Sequence, residues 1–278
     1  MKITRKQIRR IVTEEANREL PISYYSDDML MQEGILDFLK GLFGPLLDFF
    51  KGAYSEAEQK VQGVWDDVTS QVTNTAKEVM GDAGEKIKSL TDLDMGDEKQ
   101  KKVWYKVVAP AGVDVLKGAE AKLKSAADVK DWTPADDTEE AAKKWQDENG
   151  EAAQGVWYAF GVMGGTMDYL ADAGAPAADK LVGEYETVSS SGNPGEAIKY
   201  IMAGAVMLDE IGSGAKKEVG DDNGLQSAAA ALKSSAESIG KAIADSGKEQ
   251  QKENLELRKM INQMIIQERK IIKGNSGR

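Results

Sequence analysis

The 278-residue chain contains no cysteine and no histidine. Without thiol or imidazole it can build neither a Cys/His zinc site, nor a Ser-His-Asp triad, nor a cysteine nucleophile, and no disulfide can staple it. Aromatic residues are scarce at 6 %, so small aliphatic side chains must make up most of a core, and proline occurs only six times. Long apolar runs are missing as well. The longest stretch free of formal charge, Ala152 to Met167, has 16 residues, short of the ~20 that a membrane-spanning helix requires. A secretory signal is not expected, because the basic residues near Met1 lead into an alternating polar and apolar run and not into an apolar h-region.

What is present is charge, unevenly placed. The whole chain carries −11, yet residues 1–20 are net +3, residues 252–278 are net +4, and the 231 residues between them are net −18. An acidic body repels nucleic acid and anionic lipid over most of its surface, so no specific nucleic-acid binding is expected, while the two basic ends suit acidic partners.

Apolar spacing is helical almost throughout. Thr4 and Gln7 form a capping box, and Ile8, Ile11 and Val12 follow at i, i+3, i+4 with Arg5, Lys6, Arg9 and Arg10 around them. A helix over 4–20 is short and narrow-striped, hence marginal alone and expected to dock through Arg5, Ile8, Arg9, Ile11 and Val12. Pro21 stops it. Residues 34–52 hold ten large apolar side chains and four charges; Pro45 after Gly44 predicts a kink or a break into two short helices. Phe38, Leu42, Phe43, Leu46, Phe49 and Phe50 mark this segment as core, subunit interface or membrane surface. Its charges cancel, whereas membrane-surface helices usually carry a basic excess, which favours burial.

From Ser55 to Met80, Ala57, Val61, Val64, Trp65, Val68, Val72, Ala76 and Val79 recur every three or four residues, with Gly81 past the end. Asp92 to Asp97 reads as a loop. Val103 to Val108 is the best strand candidate, with a helix ending before Pro110 as the alternative. Helices are expected at 111–127 and from Thr133-Pro134 to Gly150. Within 151–172, Val156, Phe160, Met163, Met167 and Leu170 form one face, and Gly161 and Gly165 mark another where helices can approach closely. Ser189 to Pro194 is expected to be a flexible break, followed by helices at 197–211 and 225–244. A terminal helix at 254–273 presents Met260, Met264, Ile265 and Ile271, with Leu257, Ile261 and Ile272, to a partner or to its own chain.

The pattern therefore predicts an all-α multi-helix bundle with amphipathic terminal helices and at most one short strand pair. Its expected parts are a basic leader helix (1–20), a linker (21–33), an acidic helical body (34–251) and a basic C-terminal helix (252–278).

Sites for chemistry are not nominated. Asp92, Asp94 and Asp97 have the opening spacing of a calcium loop, but glycine falls at the fifth position and Val103 at the twelfth, where a carboxylate belongs. Asp221-Asp222-Asn223-Gly224 reads as a turn. Gly212-Ser213-Gly214-Ala215-Lys216-Lys217 lacks the spacing and hydroxyl of a phosphate loop and reads as a loop with two lysines. Trp65, Trp104, Trp145 and Trp157 sit in helical or strand patterns as core residues, and Trp132 stands where it can staple a helix start. No catalytic residue, metal site or cofactor is expected, and the chain reads as a non-enzyme.

The run Met-Lys-Ile-Thr-Arg-Lys-Gln-Ile-Arg-Arg-Ile-Val-Thr-Glu-Glu resembles the short basic leader helices of structural or head-internal proteins of tailed bacteriophages, over about 15 residues of the chain. In that family such leaders direct internal proteins into the prohead, with cleavage after a Leu/Ile-X-Glu triplet, which Val12-Thr13-Glu14 and Met31-Gln32-Glu33 only approximate. The resemblance implies a structural virion protein, capsid-associated or packaged inside the head, made in the bacterial host cytoplasm and partnered by other virion proteins or by copies of itself. The different expectation carried by residues 34–52 is a membrane-active helical effector or ejected pore component.

Overall fold

The computed structural model describes residues 33–129, 132, 139–175 and 178–246, with positions 248, 252 and 256; for residues 33–51, 139 and 142 it describes the backbone alone. The chain divides at Pro45 into two units, and every element after that residue belongs to the second, Leu46–Arg278. The protein is an all-α multi-helix bundle, and no strand occurs among the described residues.

Helix α1 (Glu33–Met80) is continuous through Pro45, so the two short helices expected over 34–52 are joined to each other and to the amphipathic stretch that follows. Proline's fixed φ is already helical, and the flanking Leu and Phe residues propagate the helix past one missing hydrogen bond. From Ala53 onward the expected stripe is buried: Ala57, Val61, Trp65, Val68, Val72 and Ala76 all lie within the core. Gly81 follows the last residue at φ +68 and starts a 3-10 turn, Gly81–Lys86. A second turn, Leu90–Asp92, completes the return path, pinned where Thr73 Oγ1 donates to the Ile87 carbonyl at 2.9 Å.

Asp97 caps α2 (Glu98–Ala111) by accepting from the backbone N–H groups of Lys99 and Gln100. The strand candidate Val103–Val108 lies inside this helix. A strand would place Lys106 on the same face as Trp104 and Val108. The helix instead buries Val103, Trp104, Val107 and Val108 together and leaves Lys106 outside, 2.8 Å from Glu78. Pro110 also falls within the helix, one residue before its end.

After Gly112, α3 (Val113–Ala127) buries Leu116, Ala119, Leu123 and Ala126. Helix α4 (Glu139–Asp172) runs straight through Gly150, where a helix end is expected from sequence. An interior glycine costs only ~1 kcal/mol, less than the continuous buried face on its C-terminal side returns. The helix start proposed at Thr133-Pro134 lies outside the described residues.

Helix α4 is the axis of the body. Its contacts Ala57 with Gly161, Val61 with Gly165 and Trp65 with Tyr169 advance in step, so α1 runs parallel to it. A Cβ on Gly161 would stand 2.9 Å from Ala57 Cβ, and one on Gly165 3.0 Å from Val61 Cγ1. These two glycines form the close-approach face expected from their spacing. On other sides of α4, Gly155 lies against the Lys122 carbonyl of α3, and the Met163 thioether fills the space above Gly204.

Helix α5 (Ala178–Ser191) extends through the serines that suggest a flexible break; only Gly192 and Asn193 separate it from α6 (Pro194–Val219), which Asn193 caps. Helix α6 in turn absorbs Gly212 to Lys217, read from sequence as a loop. There Gly214 admits the Tyr105 hydroxyl, 2.6 Å from where a Cβ would be, and Glu218 meets Lys101 at 2.9 Å. A further helix, α7, occupies residues 225–246 and returns antiparallel to α6, since Gln226 faces Gly212 and Ile198 faces Gly240.

The turn before α7 works as its composition implies. Asn223 (φ +48) and Gly224 (φ +84) take left-handed backbone, and Asp222 accepts from Gln226 N at 3.0 Å with Lys216 Nζ at 3.6 Å. Burial by itself raises the Asp222 pKa, but the backbone donors of Gln226 and Gly224, with Lys216, outweigh it and leave the carboxyl below its ordinary value. A depressed folded pKa gives stability that is present above the unfolded value, about 3.9, and is lost as pH falls through the folded one. Asp222→Asn should therefore be less stable than the parent at neutral pH, and the gap between their denaturation midpoints should close on acidification. A gap that ignores pH would show that charge at this position is irrelevant.

Candidate functional site

The residues proposed from sequence for partner docking, Arg5, Ile8, Arg9, Ile11, Val12, Met260, Met264, Ile265 and Ile271, lie outside the described residues. For Phe38, Leu42, Phe43, Leu46, Phe49 and Phe50 the helical backbone of α1 is described and the side chains are not. No described helix is long and apolar enough to cross a membrane.

Within the body, the most distinctive chemistry is an aromatic layer where α1, α4, α5 and α6 meet. Phe160 of α4, fully buried, is its hub. Tyr185 of α5 stacks on it at 4.7 Å between ring centroids, and Tyr200 of α6 and Trp157 of α4 approach edge-on at 5.0 and 5.4 Å. Tyr54 of α1 closes the group, 5.6 Å from Tyr185. Such geometries suit the quadrupoles of the rings and add to the area they bury.

The polar ends of this layer are poorly served. Among the described residues, the buried Tyr185 and Tyr200 hydroxyls have no hydrogen-bond partner. Each buried orphan costs ~1–3 kcal/mol of desolvation. Burial pushes all three phenols well above their ordinary pKa, with Glu58 adding to the effect at Tyr54 and Glu184 at Tyr200. They are neutral at physiological pH and cannot act as bases. Asp168, raised first by burial and then by Asp172, is the nearby carboxyl with a shifted pKa. Sequence reading missed this layer, since its members are spread from position 54 to position 200; the one local signal was Gly164, beside the glycine pair already noted. Its absent side chain leaves the notch that holds the Tyr185 ring.

The other candidates resolve into structural roles. Asp92 accepts from Lys88 N, Asp94 from Gly96 N, and Asp97 caps α2, so all three carboxylates of the apparent calcium spacing serve the local backbone. No group of three or more metal-ligating side chains occurs among the described residues. Trp65, Trp104 and Trp157 are buried, and Trp104 Nε1 donates to the Ala173 carbonyl at 2.8 Å. Trp132 is buried against Trp145, with ring centroids 6.3 Å apart. The ammonium groups of Lys60 and Lys122 sit over the Tyr158 ring at 5.2 and 5.5 Å from its centroid. Beside Lys122 a cleft of about 800 Å³ opens between α3 and α4, lined by Ser125, Gln146, Asp147, Asn149, Glu151 and Gln154 among others. Its lining mixes both signs of charge with amides and singles out no ligand class.

No protein-family model, no curated protein and no solved structure matches the chain.

Proposed function

We propose that this chain is a non-enzymatic structural protein of a tailed-phage virion, attached to the capsid or carried inside the head, and that it docks through its basic terminal segments onto acidic surfaces of other virion proteins or of its own copies. The observation that carries the reading is the segregation of charge along the chain: residues 1–20 are net +3 and residues 252–278 net +4, against −18 between them. Among the described residues, Val206 is the one large hydrophobic side chain that stands exposed. Apolar surface is thus covered over the described side chains, and at the ends Ile8, Ile11 and Val12 can bury one stripe in a groove while Arg5, Lys6, Arg9 and Arg10 pair with carboxylates at its rim. The likeness of residues 1–15 to phage leader helices supports the same assignment.

Deleting residues 1–20 should leave the melting temperature of the remainder within a few degrees and sharply reduce its incorporation into particles, scored by mass spectrometry of purified virions. Full incorporation of the shortened chain, or collapse of its fold, would overturn the reading.

A second reading, a membrane-active effector or ejected pore component, draws on one observation: the helical backbone holds through residues 34–52, where ten large apolar side chains fall. Leakage of anionic liposomes at low protein-to-lipid ratio separates the two, because a purely structural subunit leaves vesicles intact.

A further inference from the structure

Helix α5 is held to the body differently from its neighbours. Of its 14 residues it buries Ala178 and Leu181, both near its start, whereas α6 buries eleven of 26. Its second half is anchored by one large side chain, Tyr185, with Val182 and Val188 partly covered beside it. Tyr185 occupies the notch at Gly164 and stacks on Phe160, yet its buried hydroxyl has no partner among the described residues, so the anchor that closes α5 also carries a desolvation cost that opening would relieve. The outward positions Gly183, Glu184, Glu186 and Thr187 are exposed. The C-terminal end of the helix meets Gly192 in left-handed backbone, φ +63, where the chain can change direction at least cost.

We propose that the second half of α5, residues 182–191, is a strap built to open locally at Gly192, uncovering the aromatic layer of Tyr54, Phe160 and Tyr200 while α4 and α6 stay folded. Local opening draws on elements with few buried apolar contacts, and α5 is the helix of the body that meets this description while covering its most aromatic region. The strap is a property of the body alone and stands whether or not the terminal segments dock on a virion.

Amide hydrogen exchange on the full chain, followed by mass spectrometry, tests this. Under native conditions the amides of residues 182–191 should exchange at least about tenfold faster than those of residues 156–170 and 198–211. Two substitutions should move that rate in opposite directions. Gly164→Ala pushes a methyl into the Tyr185 ring and should speed exchange in α5 selectively. Tyr185→Phe keeps the ring, removes the orphan hydroxyl and should slow α5 exchange about threefold or more. Equal protection of α5, α4 and α6 would overturn the proposal. So would a Gly164→Ala variant in which all three helices exchange faster together, or a Tyr185→Phe variant in which α5 exchanges faster, since these would make Tyr185 part of one indivisible core.

Discussion

Phe160→Ala is expected to lower the stability of the body by about 3–5 kcal/mol, the range for deleting a fully buried phenylalanine from a packed core. Phe160 is 0 % exposed and is the ring on which Tyr54, Trp157, Tyr185 and Tyr200 converge from four helices. Its loss opens a cavity whose walls are aromatic rings in fixed stacking, which cannot collapse inward without giving up their own contacts. For a unit of this size the loss corresponds to a fall in melting temperature of roughly 10 °C or more. Thermal and urea unfolding followed by circular dichroism would read it, and a change below ~1 kcal/mol would show that the layer tolerates a hole and is not the hub described.

Gly161→Leu should be nearly as damaging for the opposite reason. Even a bare Cβ at this position stands 2.9 Å from Ala57 Cβ and 3.5 Å from the Tyr54 carbonyl, so an isobutyl group forces α1 away from α4. Overpacking of this kind costs about 1–3 kcal/mol when the neighbours can yield and more when they are backbone. The damage should spread along the parallel pair, because Val61 on Gly165 and Trp65 on Tyr169 depend on the same separation. Gly161→Ala combined with Ala57→Gly moves the same methyl across the interface, and the pair should be more stable than the sum of the single changes predicts. Strict additivity in that cycle would show that the two helices are not in contact there.

The elements whose signals are local were legible in the chain itself. The Ala57 to Ala76 stripe, the buried face from Val156 to Leu170, the Asp221 to Gly224 turn and the helix that follows it all stand where their spacing places them. Apolar periodicity, capping side chains and left-handed turn residues act over a few positions, so a reading along the sequence captures them. The close approach at Gly161 and Gly165 was visible too, although not the helix that makes it.

What misled were features whose meaning depends on a distant partner. Gly150, Pro110 and the Gly212 to Lys217 segment carry the marks of breaks and are helical. Val103 to Val108 has the composition of a strand and is a helix, because coiling brings Val103, Trp104, Val107 and Val108 to one buried face and leaves Lys106 outside it. A glycine or proline ends a helix only when no tertiary contact repays the lost backbone order. Gly214 is kept helical by an α2 tyrosine more than a hundred positions away.

The sequence by itself determined that the protein is helical, which faces of its helices are apolar, and that its body is acidic between basic ends, because each of these is a sum over neighbouring residues. Only the tertiary structure decided that Tyr54, Phe160, Tyr185 and Tyr200 form one layer, that Gly164 makes room for one of its rings, and that two of its hydroxyls are sealed from water. The physical reason is separation: four helices must first pack at fixed registers before side chains so far apart in the chain share a single desolvated space.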